Sequence, residues 1–155
     1  MTEHERRMRE ALRLAEEAAA AGEIPVGCVI YRGDEKIGFG RNAREAKHSA
    51  LSHAEIEAIQ MACERVGDWR LSDCALYVTL EPCPMCAGAI MNARIPLIFY
   101  GAEEPQSGAC GSVINLFEED FGAKARIYGG LLREECGSVI RKFFTVHHSF
   151  RSTEE

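Results

Sequence analysis

Residues 75–86 read Ala-Leu-Tyr-Val-Thr-Leu-Glu-Pro-Cys-Pro-Met-Cys, and this run decides the fold. Ala75 to Leu80 is a short apolar run rich in β-favouring residues, which predicts a buried strand. Pro82 ends it. Pro84 then stands where a helix can begin, because a first-turn residue has no intrahelical partner for its N–H. The spacing predicts a helix from Pro84 to about Asn92. A buried strand running straight into a helix is the building unit of a sheet covered by helices.

The flanking sequence extends the same plan. Before this run, Ser52 starts a predicted helix to about Val66, with Gly67 as its stop. Val26–Tyr31 and Lys36–Gly40 predict a hairpin around Arg32-Gly33-Asp34-Glu35, followed by a polar loop from Arg41 to Leu51. Glu5 to Ala21 predicts the first helix, with Leu12, Leu14, Ala15, Ala18 and Ala19 on one stripe. Beyond the central run, Leu97–Tyr100 and Arg126–Tyr128 are short strands on either side of a Gly-rich loop, Glu103 to Glu119. Leu131 to about Val146 is a last amphipathic helix. The order α-β-β-α-β-α-β-β-α predicts an α/β fold: a mixed sheet with helices on both faces. A length of 155 residues suits one domain, residues 1–155.

Composition narrows the class. The chain is 46% hydrophobic and 27% charged, as a globular domain is, without low-complexity runs. Met1 to Glu10 is charged and has no signal-peptide core, and no apolar stretch is long enough to span a bilayer. Seven unevenly spaced cysteines without an export signal point to reduced thiols in a cytoplasm. Cys28, Cys63, Cys74 and Cys136 fit as small core residues. A net charge of −6 argues against broad, non-specific nucleic-acid binding but leaves room for a local basic patch.

The chemistry concentrates at two predicted helix starts. Cys83 and Cys86 are three apart, so one helical turn brings both sulfurs to one side. The positive end of the helix dipole favours the thiolate, the form that binds metal. With His53 they make three protein ligands, and a three-ligand zinc keeps a position open for water. Glu55 is then placed to act as general acid and base. Each piece alone has a plainer reading. Ser52-His53-Ala54-Glu55 is also a capping box. Cys-x-x-Cys after a strand is also a thioredoxin-like redox pair, for which Ile95-Pro96 offers a cis-proline. Cys110 could close the metal site as a fourth ligand. The combination decides: His-x-Glu at one helix start and Pro-Cys-x-x-Cys at another, with the ligands thirty residues apart, is the signature of zinc deaminases. A redox pair gives no reason for the upstream His-x-Glu.

On these motifs and their flanks, the sequence resembles the bacterial tRNA-specific adenosine deaminases of the cytidine-deaminase-like superfamily. The likeness covers Ile24-Pro25-Val26-Gly27, Asn42 eleven positions before His53, and Trp69-Arg70-Leu71. It is densest from Leu76 to Ala89 and returns at Gly108–Ser112 and Phe143-Phe144. The resemblance implies a three-layer α-β-α fold with a five-stranded mixed sheet. It implies one Zn2+ per subunit on His53, Cys83 and Cys86, and Glu55 as the catalytic proton shuttle. Asn42 would bind the target nucleoside and the Ala54 amide the base edge. It further implies a homodimer whose partner is the anticodon stem-loop of tRNA, with wobble adenosine converted to inosine. Small residues at Ala87-Gly88-Ala89 would suit close helix packing.

Two stretches depart from the family pattern. Ser49-Ala50-Leu51-Ser52 replaces Asp-Pro-Thr-Ala, and Thr145-Val146-His147-His148 stands where basic residues are usual. Arg41, Arg44, Lys47 and Arg94 remain as candidate phosphate contacts, each equally readable as a solvated charge. A free guanine or cytosine deaminase with the same zinc site is the alternative enzyme, and a dithiol redox protein the alternative outside that class.

Overall fold

The computed structural model describes residues 1–147. In chain order it contains α1 (Glu3–Ala20), β1 (Gly27–Arg32), β2 (Glu35–Arg41), α2 (Arg44–Lys47), α3 (Ala54–Val66), β3 (Cys74–Leu80), α4 (Pro84–Asn92), β4 (Leu97–Ala102), β5 (Arg126–Gly129) and α5 (Arg133–Val146). A single 3-10 turn, Leu116–Glu118, interrupts the loop before β5. The five strands form one mixed sheet in the order β2-β1-β3-β4-β5. β1 runs antiparallel to β2 and β3, while β3, β4 and β5 are mutually parallel.

Period-two alternation explains why helices cover both faces. Cys28 and Ile30 of β1 and Leu76 and Val78 of β3 join one core with Ala54, Ala58 and Ala62 of α3 and Ala87 and Ile90 of α4. Val29, Ala75 and Tyr77 point the other way, into a second core with Met8, Ala11 and Leu12 of α1 and Cys136 of α5. The expected three-layer α-β-α architecture is therefore present. No helix among the described residues is long and apolar enough to cross a membrane.

Several boundaries differ from the sequence reading for local reasons. α1 begins at Glu3 rather than Glu5, because Thr2 and Glu5 form a capping box: the Glu5 amide donates to Thr2 Oγ1 at 3.1 Å and the Thr2 amide to Glu5 Oε1 at 2.9 Å. The hairpin closes on Gly33-Asp34, between paired Arg32 and Glu35, with Gly33 at φ +59°. The loop expected over Arg41 to Leu51 contains the short helix α2. The next two amides after its first, from Glu45 and Ala46, donate to the buried carboxylate of Glu23 at 3.0 and 2.8 Å, an anchor too remote in sequence to be read as a cap. Cys28, Cys74 and Cys136 are buried as expected, but Cys63 is only half-buried and donates to the Trp69 carbonyl. No peptide bond in the described chain is cis, so Ile95-Pro96 is not the cis-proline of a redox fold.

Gly27 sets how closely α1 can lie on the sheet. A Cβ there would fall 1.9 Å from the Ala11 carbonyl oxygen and 2.8 Å from the Ala15 nitrogen. Both are backbone atoms that cannot rotate away. Overpacking of this kind costs about 1–3 kcal/mol. Gly27→Ala is thus expected to lower the Tm by roughly 3–10 °C, read by thermal denaturation. An unchanged Tm would show that α1 shifts freely.

Candidate functional site

The N-termini of α3 and α4 meet at one end of the sheet. α3 starts one residue later than a cap at Ser52 would place it: His53 is the N-cap, with extended φ −77° and ψ 157°. Ser52 is held back in the loop, its carbonyl accepting from the Ala43 amide at 2.9 Å and its amide donating to Ser49 at 3.3 Å. The capping box Ser52–Glu55 is therefore not formed. Glu55 falls in the second helical position, and its carboxyl instead lies against the Cys86 thiol. At α4 the N-cap is Cys83, followed by Pro84 as the sequence led one to expect.

These caps aim three donors at one point. His53 Nδ1 lies 3.7 Å from Cys83 Sγ and 3.5 Å from Cys86 Sγ. Tetrahedral zinc, with bonds of about 2.3 Å to sulfur and about 2.1 Å to nitrogen, spaces such donors about 3.6 Å apart. The donor set fits zinc in number, softness and separation. Among the described residues it is the one cluster of three or more His, Cys, Asp or Glu donors so disposed. Cys110 is not part of it. The cluster of mutually close donors holds His53, Cys83 and Cys86 alone, and burial pushes the Cys110 thiol up to about 12.

The electrostatics follow from shared protons. The Cys86 thiol donates to Cys83 and, against the cost of burial, draws the Cys83 thiol down to about 4, with His53 adding to the pull. Cys86 is driven up by the same hydrogen bond and by burial. His53 is raised by its contact with Cys83, which outweighs its burial. A thiolate beside a proton-rich neighbour is ready to exchange that proton for a metal cation. Burial pushes the Glu55 carboxyl up to about 7, although its own amide and His53 hold it down. That position suits a group that takes and returns a proton near neutrality.

A cavity of about 600 Å³ opens above this cluster. Its walls include His53, Ala54, Glu55, Cys83 and Asn42; Cys86 is buried behind. Asn42 donates through Nδ2 to the Ile24 carbonyl at 3.1 Å and accepts through Oδ1 from the Arg44 amide at 3.2 Å. Those two bonds fix its side chain, yet an amide side chain retains one further donor and one further acceptor site. The Ala54 amide belongs to the first turn of α3, whose N–H groups have no partner within the helix.

Other wall residues were not visible in the sequence reading as site residues. Ile140 and Phe144 reach the cavity from α5, and Glu104, Gln106 and Ser107 from the loop after β4. For Phe144 the one available signal was the Phe143-Phe144 landmark. Glu81 is buried at the end of β3. Burial pushes its carboxyl up, but hydrogen bonds from Ser112, Glu104 and Cys110 outweigh this and hold it below the usual range. Of the candidate phosphate contacts, Arg44 lines the cavity and Arg41 is exposed at the end of β2. Lys47 is engaged by Glu57 at 2.8 Å, and Arg94 donates to the Met91 carbonyl and lies over the Trp69 ring. On α4, Ala87 packs in the core, whereas a Cβ at Gly88 would meet nothing within 4 Å, so the expected close packing there is not made within this chain.

Comparison with known proteins agrees with this geometry. The sequence model of the MafB19-like deaminase family matches residues 2–144. The tRNA-specific adenosine deaminase of Bacillus subtilis is 42% identical over 93% of this chain and 90% of its own. That of Streptococcus pyogenes serotype M18 is 44% identical over 88% and 87%. A solved structure from work on A-to-I editing by tRNA:A34 deaminases superposes with a TM-score of 0.84 at 38% identity, covering 86% of this chain and 98% of that one. A guanine deaminase from Bacillus subtilis has a TM-score of 0.63 at 42% identity, over 66% of both chains. Matched over residues 2–144 by the family model and over about nine-tenths of its length by tRNA-specific adenosine deaminases at 42% and 44% identity, the chain belongs to the MafB19-like deaminases, in the branch of the tRNA-specific adenosine deaminases.

Proposed function

We propose that the protein deaminates adenosine to inosine at the wobble position of tRNA, as a zinc-dependent hydrolase. The observation that carries this reading is the meeting of three zinc-spaced donors and one buried carboxyl at the floor of a cavity, in a chain of this family. His53, Cys83 and Cys86 would hold one Zn2+ per subunit. Bound there, zinc supplies a Lewis acid that lowers the pKa of water from 15.7 to about 7.

The chain's own groups do the rest. Glu55 accepts a proton from the attacking water and delivers it to ring N1 while oxygen bonds to C6. The same carboxyl then takes the remaining proton from the new C6 hydroxyl and passes it to the exocyclic amine; the C6–N bond breaks, ammonia leaves and the C6 carbonyl of inosine forms. The Ala54 amide would meet the base edge, and the remaining Nδ2 hydrogen of Asn42 would bond to the target nucleoside. Adenosine enters at low cost, because an anticodon loop is single-stranded already. Residues 1–155 act as one catalytic domain, in a cytoplasmic homodimer that grips the anticodon stem-loop.

The test is inosine formation on an anticodon stem-loop carrying wobble adenosine, against free adenine, guanine and cytosine. The hairpin is expected to be turned over and the free bases poorly, with RNA affinity falling as salt rises through counterion release. The likeness to a guanine deaminase over two-thirds of each chain favours one second reading. Faster turnover of guanine than of the hairpin would select it. Most of the atypical tail, residues 148–155, lies outside the described residues, so its part in RNA binding rests on that assay.

A further inference from the structure

The loop between β4 and β5 supplies the outer rim of the cavity, and much of its course is tied to one side chain. The geometry points to Glu81 as a positioning residue that sets this rim relative to the Cys83 turn, an assignment that rests on the deaminase reading above. Glu81 is 2% exposed and stands between the end of β3 and Pro82-Cys83. Its Oε1 accepts from the Glu104 amide at 3.1 Å and from the Ser112 hydroxyl. Its Oε2 accepts from the Cys110 and Ser112 amides, each at 3.0 Å. The loop thus turns three N–H groups and a hydroxyl onto a single carboxylate. Gly108 passes so close that a Cβ there would fall 2.4 Å from Oε2. The Ala109 amide adds a bond to the Pro82 carbonyl at 2.8 Å.

What this anchor positions is the part of the loop that faces the cavity: Glu104, Gln106 and Ser107. These lie at the mouth, whereas Glu55 and the metal donors lie at the floor. Glu81 borders the cavity as well, but four donors from the loop occupy its two oxygens, so it acts on the binding of substrate through the rim and leaves the proton transfers to Glu55.

Glu81→Gln separates this role from a merely structural one. A glutamine has one acceptor oxygen and one NH2 donor. With NH2 in the Oε2 position it would oppose two amide donors. In the Oε1 position it opposes only the Glu104 amide, since the Ser112 hydroxyl can turn to accept. The second placement is the less costly, so Gln releases Glu104 while keeping Cys110 and Ser112 anchored. Hydrogen exchange at the Glu104 amide is expected to accelerate at least about tenfold. KM for the anticodon hairpin should rise about tenfold, with kcat changed less than about threefold and zinc content unaltered, the pattern of lost ground-state binding. Gly108→Ala, which crowds the carboxylate from the loop side, should give the same split, and the double variant should be no worse than the poorer single one. A lower Tm with unchanged KM would overturn the assignment, and so would kcat and zinc falling together at constant KM. Wild-type turnover of the hairpin is the control. Its failure would count against the tRNA reading alone, while the exchange rate still decides whether Glu81 holds the rim.

Discussion

Glu55→Gln is expected to yield a folded protein that binds zinc normally and turns over the RNA hairpin slower by a factor on the order of 10² or more, the scale of a lost general acid and base. The substitution keeps the side-chain shape and removes only the ability to take up a proton. Stability should scarcely change. Glu55 does not cap α3, since His53 is the N-cap and Ser52 is held in the preceding loop. Nor does the buried site favour a charge: the carboxyl is only 4% exposed and is pushed up to about 7, so a neutral amide costs no more to bury. Single-turnover kinetics and thermal denaturation on one preparation provide the check. Near-normal turnover would mean that the proton travels by another group.

His53→Ala should cost more. Two thiols alone are a poor hold for a catalytic zinc, and without the metal the attacking water returns to a pKa of about 15.7. Turnover at neutral pH is expected to fall by a factor on the order of 10³ or more, and elemental analysis should find the wild-type zinc missing. Cys83→Ala should behave alike. A metal-free variant that remains active would remove zinc from the mechanism. So would a wild-type preparation that lacks zinc and instead cycles a Cys83–Cys86 disulfide with a reductant, which would restore the redox reading.

Much of the floor of the cavity could be read from the sequence because its residues sit at fixed offsets on two helix starts. Spacing alone brings Cys83 and Cys86 onto one turn, and Pro84 marks where that turn begins. The family resemblance then pointed to Asn42 and Ala54, both of which line the cavity. The rim could not be read in this way. Ile140 and Phe144 reach the cavity only because α5 returns across the sheet, and no local pattern announces such a return. Nothing in the local spacing around Glu23 or Glu81 marks either as an anchor. Their importance comes from the backbone amides that tertiary folding brings to them, Glu45 and Ala46 for the one, Glu104, Cys110 and Ser112 for the other. The misplaced start of α3 has a similar origin. Ser52-x-x-Glu55 satisfies the capping pattern, but bonds to Ala43 and Ser49 claim Ser52 first.

The seat of α3 on β2 is built almost without side chains. Ala54, Ala58 and Ala62 face Gly38 and Gly40, where a Cβ would fall 2.4 Å from the Ala58 carbonyl and 2.6 Å from the Ala54 carbonyl. Such a contact has no rotamers to exchange and no methylenes to trim, so the helix cannot be nudged by degrees as a Leu- or Met-lined interface could. His53 and Glu55 ride on that helix and inherit its immobility. A lineage of this protein that changes its substrate therefore has little freedom to move these two side chains. Its evolutionary latitude lies in the segments around Arg44 and Glu104, where a new side chain alters what enters while the machinery beneath stays in place.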